Sequence, residues 1–238
     1  MKFDLKKAEE RVRFVTQKRA LPAISAQVAF DLDVSGSMRD LFGCGAVQEV
    51  VQRVLPVALK FDDNGALDVF TFSKGDMIAK PEQVTAKNYD GYVDSEIVNN
   101  RQVPKWSGTS YAPVIEKNLR DLGYYQEKKT GGFLGFGGQR TMTLAKGDAL
   151  SIVYFVTDGE NDDRDNTTQL LRQCQDAGSR IYFLFMGIGN ESFSYLNKVA
   201  DDFSNTGFVR VADLSRFVES DDLYEQLLPE ELCQWLKA

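Results

Sequence analysis

Residues 30 to 38 read Phe-Asp-Leu-Asp-Val-Ser-Gly-Ser-Met, following the apolar start Val28-Ala29. Val28–Asp33 reads as a strand, and the Ser-Gly-Ser that follows reads as a turn. A strand that ends in such a turn gathers Asp33, Ser35 and Ser37 around one point. One carboxylate and two hydroxyls are hard oxygen ligands of the kind that suit Mg²⁺, which binds through one or two carboxylates and keeps several waters. Two distant segments supply matching groups: Ser107-Gly108-Thr109-Ser110, and Val156-Thr157-Asp158-Gly159 at the end of another apolar run.

Working outward, strands alternate with helices. Gly45–Phe61 places Val47, Val50, Val51, Val54 and Leu55 on one helical face, and Pro56 predicts a kink or break there. Ala66–Ser73 is a second strand after the Asp-Asn-Gly turn at 63–65. Tyr89–Val98 is a further strand candidate, at an edge. Tyr111–Leu122 is helical, with Pro113 tolerated in its first turn. Leu150–Thr157 is almost continuously apolar, as in a parallel strand covered on both faces. Asp165–Ala177 is a helix stopped by Gly178, Ile181–Ile188 a buried strand, Phe193–Phe203 a helix, Gly207–Val211 a last strand and Asp221–Lys237 a terminal helix. The alternation implies an α/β fold with three layers and a doubly wound, mostly parallel sheet. Ligands of such sheets bind beyond the carboxyl ends of the strands, which is where Asp33 and Asp158 fall.

Two segments stand outside the alternation. Leu5, Ala8, Val12 and Val15 lie at helical spacing in a charged stretch that stops near Pro22, giving a helical extension over residues 1–22 ahead of a domain at 23–238. It reads as a helix packed on the domain, with a partner-docking helix as the alternative. Residues 128–147 form a Gly-rich insertion, Thr-Gly-Gly-Phe-Leu-Gly-Phe-Gly-Gly-Gln-Arg at its centre, for which a long hairpin and a mobile loop both fit. Phe133, Leu134 and Phe136 would be exposed there unless they bind something or fold back.

Composition excludes several functions. The chain has 238 residues and no histidine, which removes Ser-His-Asp and Cys-His catalysis and any imidazole-bound metal. Its three cysteines, Cys44, Cys174 and Cys233, are scattered, against a disulfide framework or zinc site and in favour of a reducing, cytoplasmic setting. A net charge of −7 disfavours nucleic acid and anionic membrane, and suits a divalent cation or a basic partner surface. No apolar run is long enough for a membrane span, and the start Met-Lys-Phe-Asp-Leu-Lys-Lys is too charged for the apolar core of a secretory signal. No phosphate loop is present, and Gly131–Gly138 follows no strand, so nucleotide binding has no support.

The joint pattern, strand then Asp-x-Ser-Gly-Ser, Gly-Thr opening a helix, and strand then Thr-Asp-Gly, resembles the metal-ion-dependent adhesion site of von Willebrand factor A (vWA) domains. Gly45-Ala46-Val47-Gln48-Glu49, Leu55-Pro56, Phe61-Asp62-Asp63-Asn64-Gly65, Gly108-Thr109-Ser110-Tyr111-Ala112-Pro113-Val114-Ile115 and Phe155-Val156-Thr157-Asp158-Gly159-Glu160-Asn161-Asp162-Asp163 are most similar to the vWA domain of bacterial tellurium-resistance and stress-cluster proteins. That resemblance runs from about Val28 to the last helix and implies a Rossmann-like vWA fold. It implies Ser35, Ser37 and Thr109 as direct metal ligands, with Asp33 and Asp158 acting largely through water. It further implies Mg²⁺, with Mn²⁺ or Ca²⁺ as substitutes, and a non-catalytic module whose protein partner supplies an acidic residue to the metal. Some relatives carry a separate calcium-binding domain, for which this chain has no room.

An enzyme reading stands beside it. Asp31 and Asp33, two residues apart after the first strand, resemble the nucleophile and acid/base pair of Mg²⁺-dependent haloacid-dehalogenase-like phosphatases. Thr71 or Ser73 and Asp162 or Asp163 would complete that site. However, Ser-Gly-Ser stands where that family has Gly-Thr, no lysine stands out as a phosphate clamp, and Gly108-Thr109 has no role. Asp31 itself, on the same side of the strand as Asp33, is expected to be satisfied by backbone N–H groups or a nearby cation, or to support the metal. Glu160, Asp162 and Asp163 read either as a solvated acidic loop or as an added negative field over the cation.

Overall fold

The computed structural model describes residues 3–62, 64–130, 139–220 and 222–238. Its strands are β1 (Ala26–Asp33), β2 (Ala66–Phe72), β3 (Ile78–Ala79), β4 (Val84–Thr85), β5 (Tyr125–Thr130), β6 (Gln139–Leu144), β7 (Leu150–Thr157), β8 (Ile181–Ile188) and β9 (Thr206–Val211). The α-helices are α1 (Leu5–Lys18), α2 (Arg39–Gly43), α3 (Ala46–Phe61), α4 (Ala112–Asp121), α5 (Arg164–Asp176), α6 (Ser194–Asp202), α7 (Leu214–Glu219), α8 (Leu223–Leu227) and α9 (Glu230–Trp235).

The main sheet runs β3-β2-β1-β7-β8-β9, with β4 also on β2. β1 pairs in parallel with both β2 and β7, β7 with β8 and β8 with β9, while the two-residue edges β3 and β4 are antiparallel. The fold is thus the expected mostly parallel, three-layer α/β sandwich. Chain order reverses between β1 and β7, so the crevice at their carboxyl ends is the switch point where such sheets bind ligands.

Strand side chains alternate between the two faces. Val28, Phe30 and Leu32 of β1, with Ile152, Tyr154 and Val156 of β7, join one apolar core with α1, α3 and α7–α9. Ala29, Phe70, Phe72, Val153, Phe155, Phe183 and Phe185 face the other, packed on Val114, Ile115 and Leu119 of α4, Leu170 and Leu171 of α5, and Leu196 and Val199 of α6. By the same alternation Asp31 and Asp33 belong to this second face.

Helix α1 packs its buried Ala8, Val12 and Val15 against α3 and ties to the C-terminal helices through Lys18–Glu225 and Arg19–Glu230 ion pairs. Helix α3 continues through Pro56 to Phe61, so no break occurs there.

Two readings are corrected and one open choice is decided. Tyr89–Val98 is not a strand: Gly91 takes a positive φ of 72°, and Val93–Val98 forms a π-helix burying Val93 and Ile97, four residues apart. The side chain of Gln48 holds it there, donating to the Tyr89 carbonyl (2.7 Å) and accepting from the Val93 N–H (2.8 Å). The single terminal helix is instead α8 and α9, preceded by α7, with Asp221 outside the described residues. Pro229 separates the last two because it lacks an N–H and disfavours a helical Leu228, which sits at φ −125°, ψ 62°. Of the two readings of the insertion, the hairpin holds: β5 and β6 pair from Tyr125 with Leu144 to Thr130 with Gln139. Phe133, Leu134 and Phe136 lie outside the described residues.

Candidate metal centre

Asp33, the last residue of β1, has both carboxylate oxygens engaged. Oδ1 accepts from the Ser35 N–H (2.7 Å), the turn that an Asp side chain makes with backbone two residues on, and Oδ2 accepts from the Thr157 hydroxyl (2.7 Å) at the end of β7. The Ser35 and Ser37 hydroxyls lie 3.1 Å apart, and Ser37 donates to Asp158 Oδ1 (2.8 Å). Four of the five candidate residues therefore form one connected group across the switch point.

Thr109 is on a third segment, docked through main chain. Gly36 N–H donates to the Ser107 carbonyl (2.9 Å), and Asp162 N–H to the Thr109 carbonyl (3.0 Å). Ser73, just past β2, holds the same segment: its hydroxyl donates to the Gly108 carbonyl (2.9 Å) and accepts from Ser107 N–H (3.2 Å). Among the described residues no hydrogen bond joins the buried Thr109 hydroxyl to the other four.

Burial governs the electrostatics. It raises Asp33 to about 6 against the opposing hydrogen bonds from Thr157 and Ser35, with the nearby Asp158 charge raising it further. Asp158 is also raised, by burial first, with Glu191 adding to it. Among the described residues neither carboxylate forms an ion pair. A buried acid and a half-buried one, linked through Ser35 and Ser37 and without a cationic side chain among the described residues, are costly unless a cation joins them. The oxygen-only donor set fits a hard divalent ion. No three His, Cys, Asp or Glu side chains cluster tightly enough to hold a metal among the described residues, so an ion here would rest on hydroxyls and water as much as on carboxylates.

The phosphatase reading finds no support. Asp31 is fully buried and bonded to Asn118 Nδ2 of α4 (2.5 Å), and desolvation raises it well above the usual carboxylate value, so the group proposed as nucleophile is closed off from solvent. Its partner is thus a side-chain amide, not the backbone or cation expected. Thr71 is fully buried, and Ser73 is occupied with the Ser107–Gly108 segment. Of the acidic loop, Glu160 pairs with Arg164, and Asp163 turns inward to α4.

Sequence reasoning passed over Trp106 and Tyr111. Trp106 has φ 68°, rare for a large side chain. It donates its N–H to the Val34 carbonyl (2.7 Å), meets Phe42 edge-on (5.3 Å) and lies under the Arg39 guanidinium (5.1 Å). Buried Tyr111 donates to the Gly159 carbonyl (2.6 Å), supporting the residue after Asp158. Neither backbone strain nor a contact across 48 positions leaves a periodic trace in sequence.

The fold is of the vWA type. The chain belongs to the vWA-TerF-like family, described as the vWA found in the TerF C terminus, whose model it matches over residues 25–135 and 139–238. The protein YcbR of Bacillus subtilis (strain 168) is 33% identical over 240 residues, which is 98% of this chain and 86% of that protein. Among solved structures, proximal thread matrix protein 1 of the mussel byssus superposes with a TM-score of 0.53 at 15% identity, over 86% of this chain and 47% of that one. The ArnB paralog VWA2 from Sulfolobus acidocaldarius gives 0.53 at 13% identity, over 86% and 46%. The chain thus spans about half the length of these two structures, and the likeness is one of fold.

Proposed function

We propose that the chain is a non-catalytic, divalent-cation-dependent protein-binding module. The observation that carries this is the Asp33–Ser35–Ser37–Asp158 group at the sheet's switch point, with Asp33 buried, Asp158 half-buried and, among the described residues, no cationic side chain paired to either. Ser35, Ser37 and Thr109 would be the direct ligands. Asp33, whose two oxygens already accept from protein donors, would act through water, as would Asp158. Mg²⁺ is the proposed ion, with Mn²⁺ or Ca²⁺ as substitutes. When bound, the ion supplies an electrophilic centre able to take a carboxylate from a protein partner.

In this reading residues 1–22 are a helical extension of a domain at 23–238, and the module works in bacterial tellurite or stress resistance, in the cytoplasm. No helix among the described residues is long and apolar enough to cross a membrane. Calorimetric titration of the full chain with Mg²⁺ tests the first claim, and affinity capture from lysate with Mg²⁺ or with chelator tests the second. Binding is expected in the titration, and metal-dependent recovery in the capture. No heat above dilution in the titration refutes the metal site, and recovery indifferent to chelator refutes its role in adhesion.

A further inference from the structure

The candidate ligands reside on three separate segments, and a metal site needs them at fixed separation. Asp163 lies where that separation is set. It occupies the position before α5 at which an aspartate ordinarily caps its own helix, yet it makes no such side-chain cap. Its carboxylate instead crosses to α4, where Oδ1 accepts from Tyr111 N–H (2.9 Å) and Oδ2 from Ala112 N–H (2.9 Å). These are two of the N–H groups that a helix start leaves without internal partners, and α4 has no side-chain cap of its own. A carboxylate there also meets the positive end of the helix.

The clamp is held in turn. Asn161 Nδ2 donates to Asp163 Oδ1 (2.7 Å) and to the Thr167 hydroxyl (3.1 Å), and Asp162 N–H donates to the Thr109 carbonyl. The loop that begins with Asp158 thus grips residues 109–112 through four hydrogen bonds, that of the Tyr111 hydroxyl to the Gly159 carbonyl included, and two of them run through the Asp163 side chain.

Resting on the metal reading above, we infer that Asp163 is a positioning residue: it touches no ion, but fixes Thr109 relative to Asp158 and so sets how well the site fits a small cation. Mg²⁺ requires near-ideal octahedral geometry at short distances, whereas Ca²⁺ accepts longer, irregular coordination. A loosened Thr109 should therefore weaken Mg²⁺ more than Ca²⁺. Asp163→Asn keeps one acceptor oxygen but turns an NH₂ group toward the second N–H donor, which breaks the pair of bonds at little change in shape.

The test is titration of the full chain with Mg²⁺ and with Ca²⁺ in wild type, Asp163→Asn and Asp165→Asn. Asp165, exposed in the first turn of α5, has the same charge nearby and no part in the clamp. Asp163→Asn is expected to bind Mg²⁺ about 10-fold more weakly, as for partners that orient ligands, and Ca²⁺ within about 3-fold. Asp165→Asn should match wild type. Hydrogen exchange of the Tyr111 and Ala112 amides should quicken in Asp163→Asn even without metal. Should Asp163→Asn fail to fold, Asp163→Ser, whose hydroxyl still accepts one N–H, takes its place in the same measurements. An unchanged Mg²⁺-to-Ca²⁺ ratio, or an equal loss in Asp165→Asn, overturns the positioning role. If wild type takes up Mg²⁺ and Asp33→Ala does not, that failure belongs to Asp163 alone; if wild type takes up none, the metal reading and the positioning role fall together.

Discussion

Asp31 and Asp33 stand on one strand, on one face, two residues apart, and both are fully buried. Their surroundings differ. Asp31 lies within the second layer, with a single described hydrogen bond from Asn118 and its other oxygen unpartnered. Asp33 stands at the mouth of the crevice, with a backbone N–H and two hydroxyl-bearing neighbours turned toward it and a second carboxylate nearby. Burial alone makes a carboxyl neutral and structural. Donors that favour the charged form, joined to a second acid, make a place for a cation. The contrast separates an interior that holds the fold from a mouth that we propose binds.

The largest effect that would test this division lies in the interior. Phe155 packs between Phe72, Tyr111 and Phe185, with ring centroids 4.7, 4.8 and 5.0 Å away. Phe155→Ala should cost about 3–5 kcal/mol of unfolding free energy, read from urea denaturation. A loss below about 1 kcal/mol would mean that the layer repacks and is no rigid support for the mouth.

At the mouth the order of effects should reverse. Asp33→Ala and Asp158→Ala are each expected to weaken Mg²⁺ by about 10–100-fold while leaving the circular dichroism spectrum unchanged, because these residues end strands and line loops. Unchanged affinity in both would place the ion elsewhere.

Asn118→Ala sharpens the comparison from the other side. It removes the hydrogen bond to buried Asp31 and should cost about 1–3 kcal/mol of stability, with Mg²⁺ affinity within about 3-fold of wild type. A loss of metal binding as large as that in Asp33→Ala would erase the distinction between the two aspartates.

The smallest effects are alkaline. Cys174 and Tyr124 in the second layer are each pushed up to about 12 by burial. With native values above the unfolded ones, of about 8.5 and 10, their contribution is full below that range and is lost as pH rises toward 12. Tm should fall steadily over that interval, and exposed Cys44 alone should react with a thiol reagent at pH 8 in the native state. Labelling of Cys174 at a similar rate would show that this layer opens readily.

Much of the fold was legible in sequence where hydrophobic periods were long. Leu150–Thr157 and Ile181–Ile188 are found with the expected bounds, and the α5 stretch within one residue at each end. The readings that failed were locally ambiguous, a π-helix in place of an edge strand and a terminal helix cut by Pro229, and the two-residue edges β3 and β4 were missed because they have no period. Of the candidate site, the residues that follow strand ends do meet in space, because an Asp-x-Ser-x-Ser run and a Thr-Asp-Gly run carry their geometry locally.

By itself the sequence determined the parallel α/β architecture, the absence of imidazole chemistry and the strand ends that present oxygen ligands, since alternation, composition and turn chemistry are local. Only the tertiary structure decided that Asp31 answers to Asn118, 87 positions away, that Trp106 is strained beside the serine turn, and that Asp163 serves α4 instead of its own helix. Each depends on which groups meet across the sheet's switch point. A carboxylate's role follows from the donors that surround it in space, and those are brought together by the packing of distant segments.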